Sequence, residues 1–237
     1  MRVSYALLFF ALRFQDLSKA IRLAESNKKI QSLVLASSMK STFSAGLDLS
    51  EMHDPDKLRL KDFWTSFQQL YIDLYGSRLA CIAAIDGHAP AAGCMLALSC
   101  DYRIMSSHPK LSIGLNETKF GIAAPPFLAR QMLETVGRRP GELAMAQGTL
   151  FSPQEALAMG LVDEVVDNVP GRALVVAKNW AKIPASGRVL TKNMVRRPAI
   201  DDLISNRQAD LESFVQMVDN PSTQAALGAY FASLKKK

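Results

Sequence analysis

One stretch limits what this chain can become more than any other: LACIAAIDGHAPAAGCMLALSCD, residues 79–101. Residues 79–85 form an unbroken apolar run of strand length, the pattern of a strand buried on both faces. Asp86 and Gly87 stop it. Ala89, Pro90, Ala91, Ala92 and Gly93 then leave the backbone bare, as chains do where something must approach closely. A second apolar run begins at Cys94 and reads as a helix.

Short apolar runs alternate with helical periodicity along the 237 residues. Residues 30–37, IQSLVLAS, predict another buried strand. Residues 102–105, 110–113 and LVDEVV predict three more. Phe14, Leu17, Ile21 and Leu23 or Ala24 share one face of a helix. Residues 57–75 predict a long aromatic-rich helix. Residues 127–136 predict another, stopped by Gly137, and RPGELAMAQG one more. FSPQEALAMG carries a full set of boundary signals: Ser152 as N-cap, Pro153 at N1, Glu155 closing a capping box and Gly160 ending the helix. Helices are expected over 171–182, around 189–195, over 200–219 and over 222–234, with Pro221 at the N-terminal position of the last. Strands alternating with helices imply an α/β fold with a parallel sheet and helical crossovers. No linker composition precedes the helical C-terminal third, which is expected to pack on the sheet or on another subunit.

Composition narrows the function. Hydrophobic residues make up 49% and charged residues 21%, which fits a globular chain. The net charge is +6, but Lys235, Lys236 and Lys237 supply half of it and read as a solvated tail. No zinc spacing, recognition helix or aromatic ladder beside basic residues supports nucleic-acid binding. Cys81, Cys94 and Cys100 lie in apolar runs without a CxxC, which fits a reducing compartment. His53, His88 and His108 are scattered, so no metal is expected. MRVSYALLFFAL opens with Arg2 and a short apolar block, but no small-residue cleavage site follows, so it reads as a buried helix or strand. No run approaches the roughly 20 residues of a membrane span.

Three stretches together can carry chemistry. FSAGLDLSEM (43–52) and GHAPAAGCML (87–96) place small residues where backbone N–H groups can point into a cavity and hold a developing oxyanion. The second lies at a strand end and helix start, where unpaired N–H groups favour negative charge. IGLNETKFGI (113–122) holds Glu117 among apolar neighbours, which raises a carboxyl pKa and makes a useful base. Each alone has a plainer reading. The small-residue run can be a tight turn with close packing; it lacks both GxGxxG and a Walker lysine. Glu117 can be a surface residue or helix-start cap, and Asp48 an N-cap.

In this order, SAGLDLSEM, IDGHAPAAGCMLALSCDYRIM, LSIGLNETKFGI and FSPQEALAMGLVDEVV resemble segments of the crotonase superfamily of acyl-CoA enzymes. These are its first oxyanion segment, its second oxyanion loop with buried helix, its acid/base segment and a later helix–strand signature. The resemblance runs from about residue 14 to the C-terminus. Within the superfamily, SAGLDL, IGLNET and CDYRI are most similar to the mitochondrial Δ3,Δ2-enoyl-CoA isomerases of fatty-acid oxidation.

The resemblance implies a spiral of β-β-α repeats over residues 1–184. Residues 185–237 would form a helical region that packs on the core and on neighbouring subunits of a homotrimer. It implies an acyl-CoA thioester substrate, with coenzyme A part of that substrate and no separate cofactor, in the mitochondrial matrix. The thioester oxygen would be held by the backbone N–H groups of Leu47 and Ala92. Ala45, Gly46, Leu47, Asp48 and Leu49 become CoA-pocket positions. Glu117 would carry a proton from C2 to C4 of a 3-enoyl thioester, giving the 2-trans product. Asn116 would orient that carboxylate or the substrate, or else serve as a turn residue. Hydratases of the superfamily use a second glutamate, at the position of Met95. The alternatives are an enoyl-CoA hydratase or a non-catalytic acyl-CoA-binding or interaction protein. Two departures stand out. Ala92 replaces a usual glycine, with a penalty if the backbone there needs positive φ. A strand pair and an Asn/Pro motif normally precede the first helix, so the first strands are expected to be missing, leaving an uncovered edge.

Overall fold

The computed structural model describes residues 11–39 and 41–234. Most of MRVSYALLFFAL and the lysine tail lie outside these residues. The apolar run at 79–85 becomes β3 (Ala80–Ile85), buried along its whole length. It pairs in parallel with β1 (Ser32–Ala36) and β5 (Tyr102–Ser106), and β7 (Glu164–Val166) completes the order β1-β3-β5-β7. The two-residue alternation of a strand divides its side chains between two cores. Cys81, Ala83 and Ile85 enter the main core. Ile82 and Ala84 face α7 (Val169–Ala181) through Val169, Ala173 and Val176. Both faces are covered, as an unbroken apolar strand requires.

A second sheet was not visible in the sequence. β2 (Ser41–Thr42), β4 (Gly87–Pro90) and β6 (Ile113–Gly114) lie in parallel in the order β2-β4-β6. GHAP read as bare loop, and residues 110–113 were expected to be the strand that is observed at Ile113–Gly114. Pieces this short, with Gly and Pro in them, carry no alternation signal and become strands only when neighbours pair with them. Gly87 permits that pairing: a Cβ there would lie 2.2 Å from the Thr42 nitrogen and 2.6 Å from the Phe43 nitrogen.

Asp86 alone joins β3 to β4, so the chain steps from one sheet to the other within a single residue. The chain also crosses between the sheets from β1 to β2 and from β5 to β6, there over the longer connections 37–40 and 107–112. Each pair of strands is followed by a helix: α2 (Lys57–Tyr75), α3 (Ala92–Ser99) and α4 (Pro126–Val136). The result is the expected α/β spiral of β-β-α turns with a helical C-terminal region. β1 is the edge of its sheet among the described residues.

The helices follow their apolar stripes. α1 (Ala11–Ser26) buries Phe14, Ile21 and Ala24, while Leu23 is exposed, which resolves the Leu23/Ala24 ambiguity. Phe14 packs on Phe63 and Phe67 of α2. α5 (Arg138–Gln147) follows α4. α6 (Pro153–Ala158) has the predicted capping box of Ser152 and Glu155, and Gly160 takes φ +76° just beyond it.

The C-terminal helices differ from expectation. The segments around 189–195 and over 200–219 were expected as two helices. Instead α8 (Ala185–Ser205) runs through Pro198, and α9 (Arg207–Asp219) begins after Asn206. Lys192 and Arg196, one turn apart on α8, both reach Asp101, at 2.8 and 3.0 Å. This buried pairing holds the helix on the sheet on the N-terminal side of the proline. α10 (Pro221–Leu234) closes the described chain. Among the described residues no helix is long and apolar enough to cross a membrane, and no group of three or more His, Cys, Asp or Glu side chains could hold a metal ion.

Gly87→Ala is expected to push β2 off β4 and to lower stability by about 1–3 kcal/mol, the usual range for overpacking. Urea denaturation measures it; unchanged stability would show that β2 and β4 do not depend on this close approach.

Candidate active site

The small sheet gathers the three chemistry-bearing stretches. The first loop leaves β2 and is pinned at once, since Phe43 N and Ser44 N both donate to the carbonyl of His88 on β4, at 2.9 and 3.2 Å. On the other side, Ala89 N donates to Ser112 O at 2.9 Å and Ala91 N to Gly114 O at 2.8 Å. The loop also packs closely on the start of α3. A Cβ on Gly93 would lie 2.8 Å from Ser44 O. Gly46, at φ +89°, would bring a Cβ 3.3 Å from that of Ala91 and 3.7 Å from Ala92 N. The bare backbone at 89–93 is therefore where the first loop comes close.

The strain expected at Ala92 falls one residue earlier. Ala91 has φ +50° and ψ −119°, while Ala92 is the first residue of α3. A non-glycine residue in such a region costs of order 1–3 kcal/mol. Ala92 itself needs no unusual backbone, and its N–H belongs to the first turn, ahead of the helix's own hydrogen-bond ladder. α3 is buried along its whole length, with its N-terminus at the site.

Leu47, Ala92 and Glu117 line one cavity of about 20 Å³. Met52, Trp64, Phe67, Phe214 and Met217 are among its other walls. Glu117 opens the 3-10 turn Glu117–Phe120 and is 7% exposed. Its Oε2 is buried without a hydrogen-bond partner. Burial lifts its pKa from 4.5 to about 7, with its own backbone N–H pulling slightly the other way. Among the described residues lining the cavity, Glu117 alone is ionisable. An unpaired carboxyl that titrates near neutrality can take up a proton and give it back.

The other predicted positions fall differently. Asp48 is buried and already engaged, accepting Ser50 N at 2.9 Å and Ser50 Oγ at 2.7 Å to cap the 3-10 turn Leu49–Glu51. Ala45 is exposed, Gly46 buried, and Leu47 and Leu49 half-buried. Asn116 precedes the Glu117 turn, makes no side-chain cap and has its Oδ1 buried without a partner. It does not line the cavity. Met95 is fully buried in the main core and accepts Ser99 Oγ at 3.5 Å through its sulfur. Trp64 and Phe67 belong to the aromatic helix read from the sequence. Phe214 and Met217 were missed. Their three-residue spacing on one helix face was legible, but nothing in the sequence tied that face to a site about a hundred residues earlier.

Fold and site together define a member of a known class. The enoyl-CoA hydratase/isomerase family matches residues 10–237, and the chain belongs to that family, within the crotonase superfamily. It is 44% identical to the mouse protein named enoyl-CoA delta isomerase 1, mitochondrial, over 215 residues, covering 90% of this chain and 74% of that protein. The crystal structure of human mitochondrial delta3-delta2-enoyl-CoA isomerase superposes with a TM-score of 0.93 at 38% identity, covering 95% of this chain and 88% of that one. An enoyl-CoA hydratase from Bacillus halodurans, at 22% identity and a TM-score of 0.84, shares the fold.

The raised pKa has a thermodynamic consequence. The unfolded chain releases this proton near 4.5, whereas the folded protein holds it to about 7, so ionisation destabilises the native state across that window. Glu117→Gln, always neutral, is expected to match wild-type stability below about pH 4 and to exceed it by roughly 3 kcal/mol near pH 8, the shift from 4.5 to about 7 taken at about 1.4 kcal/mol per unit. Denaturant melts across that range test this, and a difference independent of pH would contradict it.

Proposed function

We propose that this protein is a Δ3,Δ2-enoyl-CoA isomerase in which Glu117 is the single proton carrier. The observation that carries the reading is one buried, unpaired carboxyl with a pKa of about 7 in a cavity shared with Leu47 and Ala92. Ionised Glu117 removes a proton from C2 of a 3-cis- or 3-trans-enoyl thioester. The electron pair moves into the thioester carbonyl and gives a dienolate. The backbone N–H groups of Leu47 and Ala92 donate to that oxygen, a contribution usually worth about 2.7–4 kcal/mol per donor. Protonated Glu117 then returns the proton at C4, the carbonyl reforms and the double bond lies between C2 and C3. One base reaches both carbons because they lie on one side of a planar intermediate.

Asn116 is assigned the positioning of the carboxylate or substrate, and 45–49 the pocket of the CoA moiety. Met95 supports isomerisation over hydration, since an apolar side chain buried in the core cannot position a water. The names of the mouse and human relatives support a mitochondrial location, which we extend to the matrix. A homotrimer is proposed on the exposed apolar side chains Leu190, Met194 and Val195 of α8, since apolar side chains clustered on one exposed face mark an interface.

Glu117→Gln is expected to bind acyl-CoA as wild type does while kcat falls by about 10²–10⁴-fold or more. Wild-type kcat/KM should rise tenfold per pH unit up to about 7 and then level, because the base must start ionised. A 3-enoyl-CoA assay decides: activity within a few-fold of wild type would overturn the assignment, and efficient hydration of crotonyl-CoA would favour a hydratase. Light scattering should give three times the 26.0 kDa chain mass, and Leu190→Asp with Met194→Asp should give the monomer.

A further inference from the structure

We infer that Met217 is the movable wall that sets how long an acyl chain this site admits, an inference that rests on the acyl-CoA reading above. The cavity beside Glu117, at about 20 Å³, holds little more than one water-sized group. An enoyl chain continues beyond C4, so one of the walls must yield to it.

Two walls are fixed. Trp64 is stacked on Phe214 with centroids 3.6 Å apart and planes 7° from parallel. Its Nε1 donates at 2.7 Å to Asp210, which also accepts Gln68 Nε2 at 2.7 Å. Met52 is fully buried and packed into the main core.

Met217 is held differently. It lies half-buried on α9, opposite exposed Ala123. Among the described residues, the hydrogen bond that ties it across the gap is the Ala123 N–H donating to Sδ at 3.3 Å. A thioether is a weak acceptor on an unbranched, freely rotating side chain. Exposed Ala123 can exchange it for water at little cost. Swinging Met217 aside opens the cavity to solvent between α9 and residues 121–125, and a straight acyl tail can run through that gap.

Binding of saturated acyl-CoAs of four, ten and fourteen carbons, in the Glu117→Gln background, tests this without turnover. Met217→Ala is expected to leave four-carbon binding unchanged, since that chain ends at C4. It should tighten the longer chains several-fold relative to the shortest, because the truncated side chain no longer has to be displaced. Met217→Phe is expected to weaken the longer chains selectively, with thermal melting to verify that it folds. If Met217→Ala shifts all lengths equally, or none, Met217 is not the length gate. If the unmutated Met217 protein binds no acyl-CoA of any length, the acyl-CoA reading itself fails.

Discussion

The site depends on three short strands lying side by side. β2, β4 and β6 each end where a functional segment begins: the loop at Phe43, the helix at Ala92 and the turn at Glu117. The carbonyl of His88 takes two N–H groups of the first loop, and Gly87 lets the strands meet at a separation that no Cβ could survive. Strands of two to four residues do not stand alone. Their register is inherited from the longer sheet, since β3 passes into β4 across Asp86 only. The larger sheet therefore fixes where each turn of the spiral starts, and the smaller one converts that into a shared cavity.

Two buried carboxylates show how the fold divides stability from chemistry. Asp101 faces Lys192, Arg196 and the backbone N–H of Cys81, the last at 2.7 Å. It anchors α8 to the sheet, with both of its oxygens engaged. Glu117 is buried to a similar degree, with no cation beside it among the described residues and one oxygen unpartnered. The first arrangement compensates a buried charge; the second leaves it uncompensated, which costs stability and places the pKa where a proton can come and go. Strained Ala91 is a second local cost at the same place. Both are held by a surrounding core, with α3 buried along its length and α2 and α9 joined through Asp210.

Much of this was legible before any coordinates. Residues 79–85 could only be a strand covered on both faces, and the Ser152 capping box marked α6 to within a residue or two. Glu117 among apolar neighbours predicted its own raised pKa, because desolvation follows from local composition. The bare run at 89–93 announced a close approach without naming the partner, which is the Ser44–Gly46 loop. Other features gave no local signal. GHAP does not alternate, nothing local joins 189–195 to 200–205 in one helix through Pro198, and Phe214 and Met217 resemble any apolar pair on a helix.

The sequence by itself determined the alternation of strands and helices and the three stretches that matter, because hydrophobic period and caps are written locally; the spiral and the family followed from the resemblance of its motifs to the crotonase superfamily. Only the tertiary structure decided that Leu47, Ala92 and Glu117 share one cavity, that the backbone strain sits at Ala91 and not Ala92, and that α9 supplies part of the cavity wall. Those outcomes depend on contacts between residues far apart in the chain. Such contacts are selected by packing and backbone pairing in three dimensions, and no local pattern encodes them.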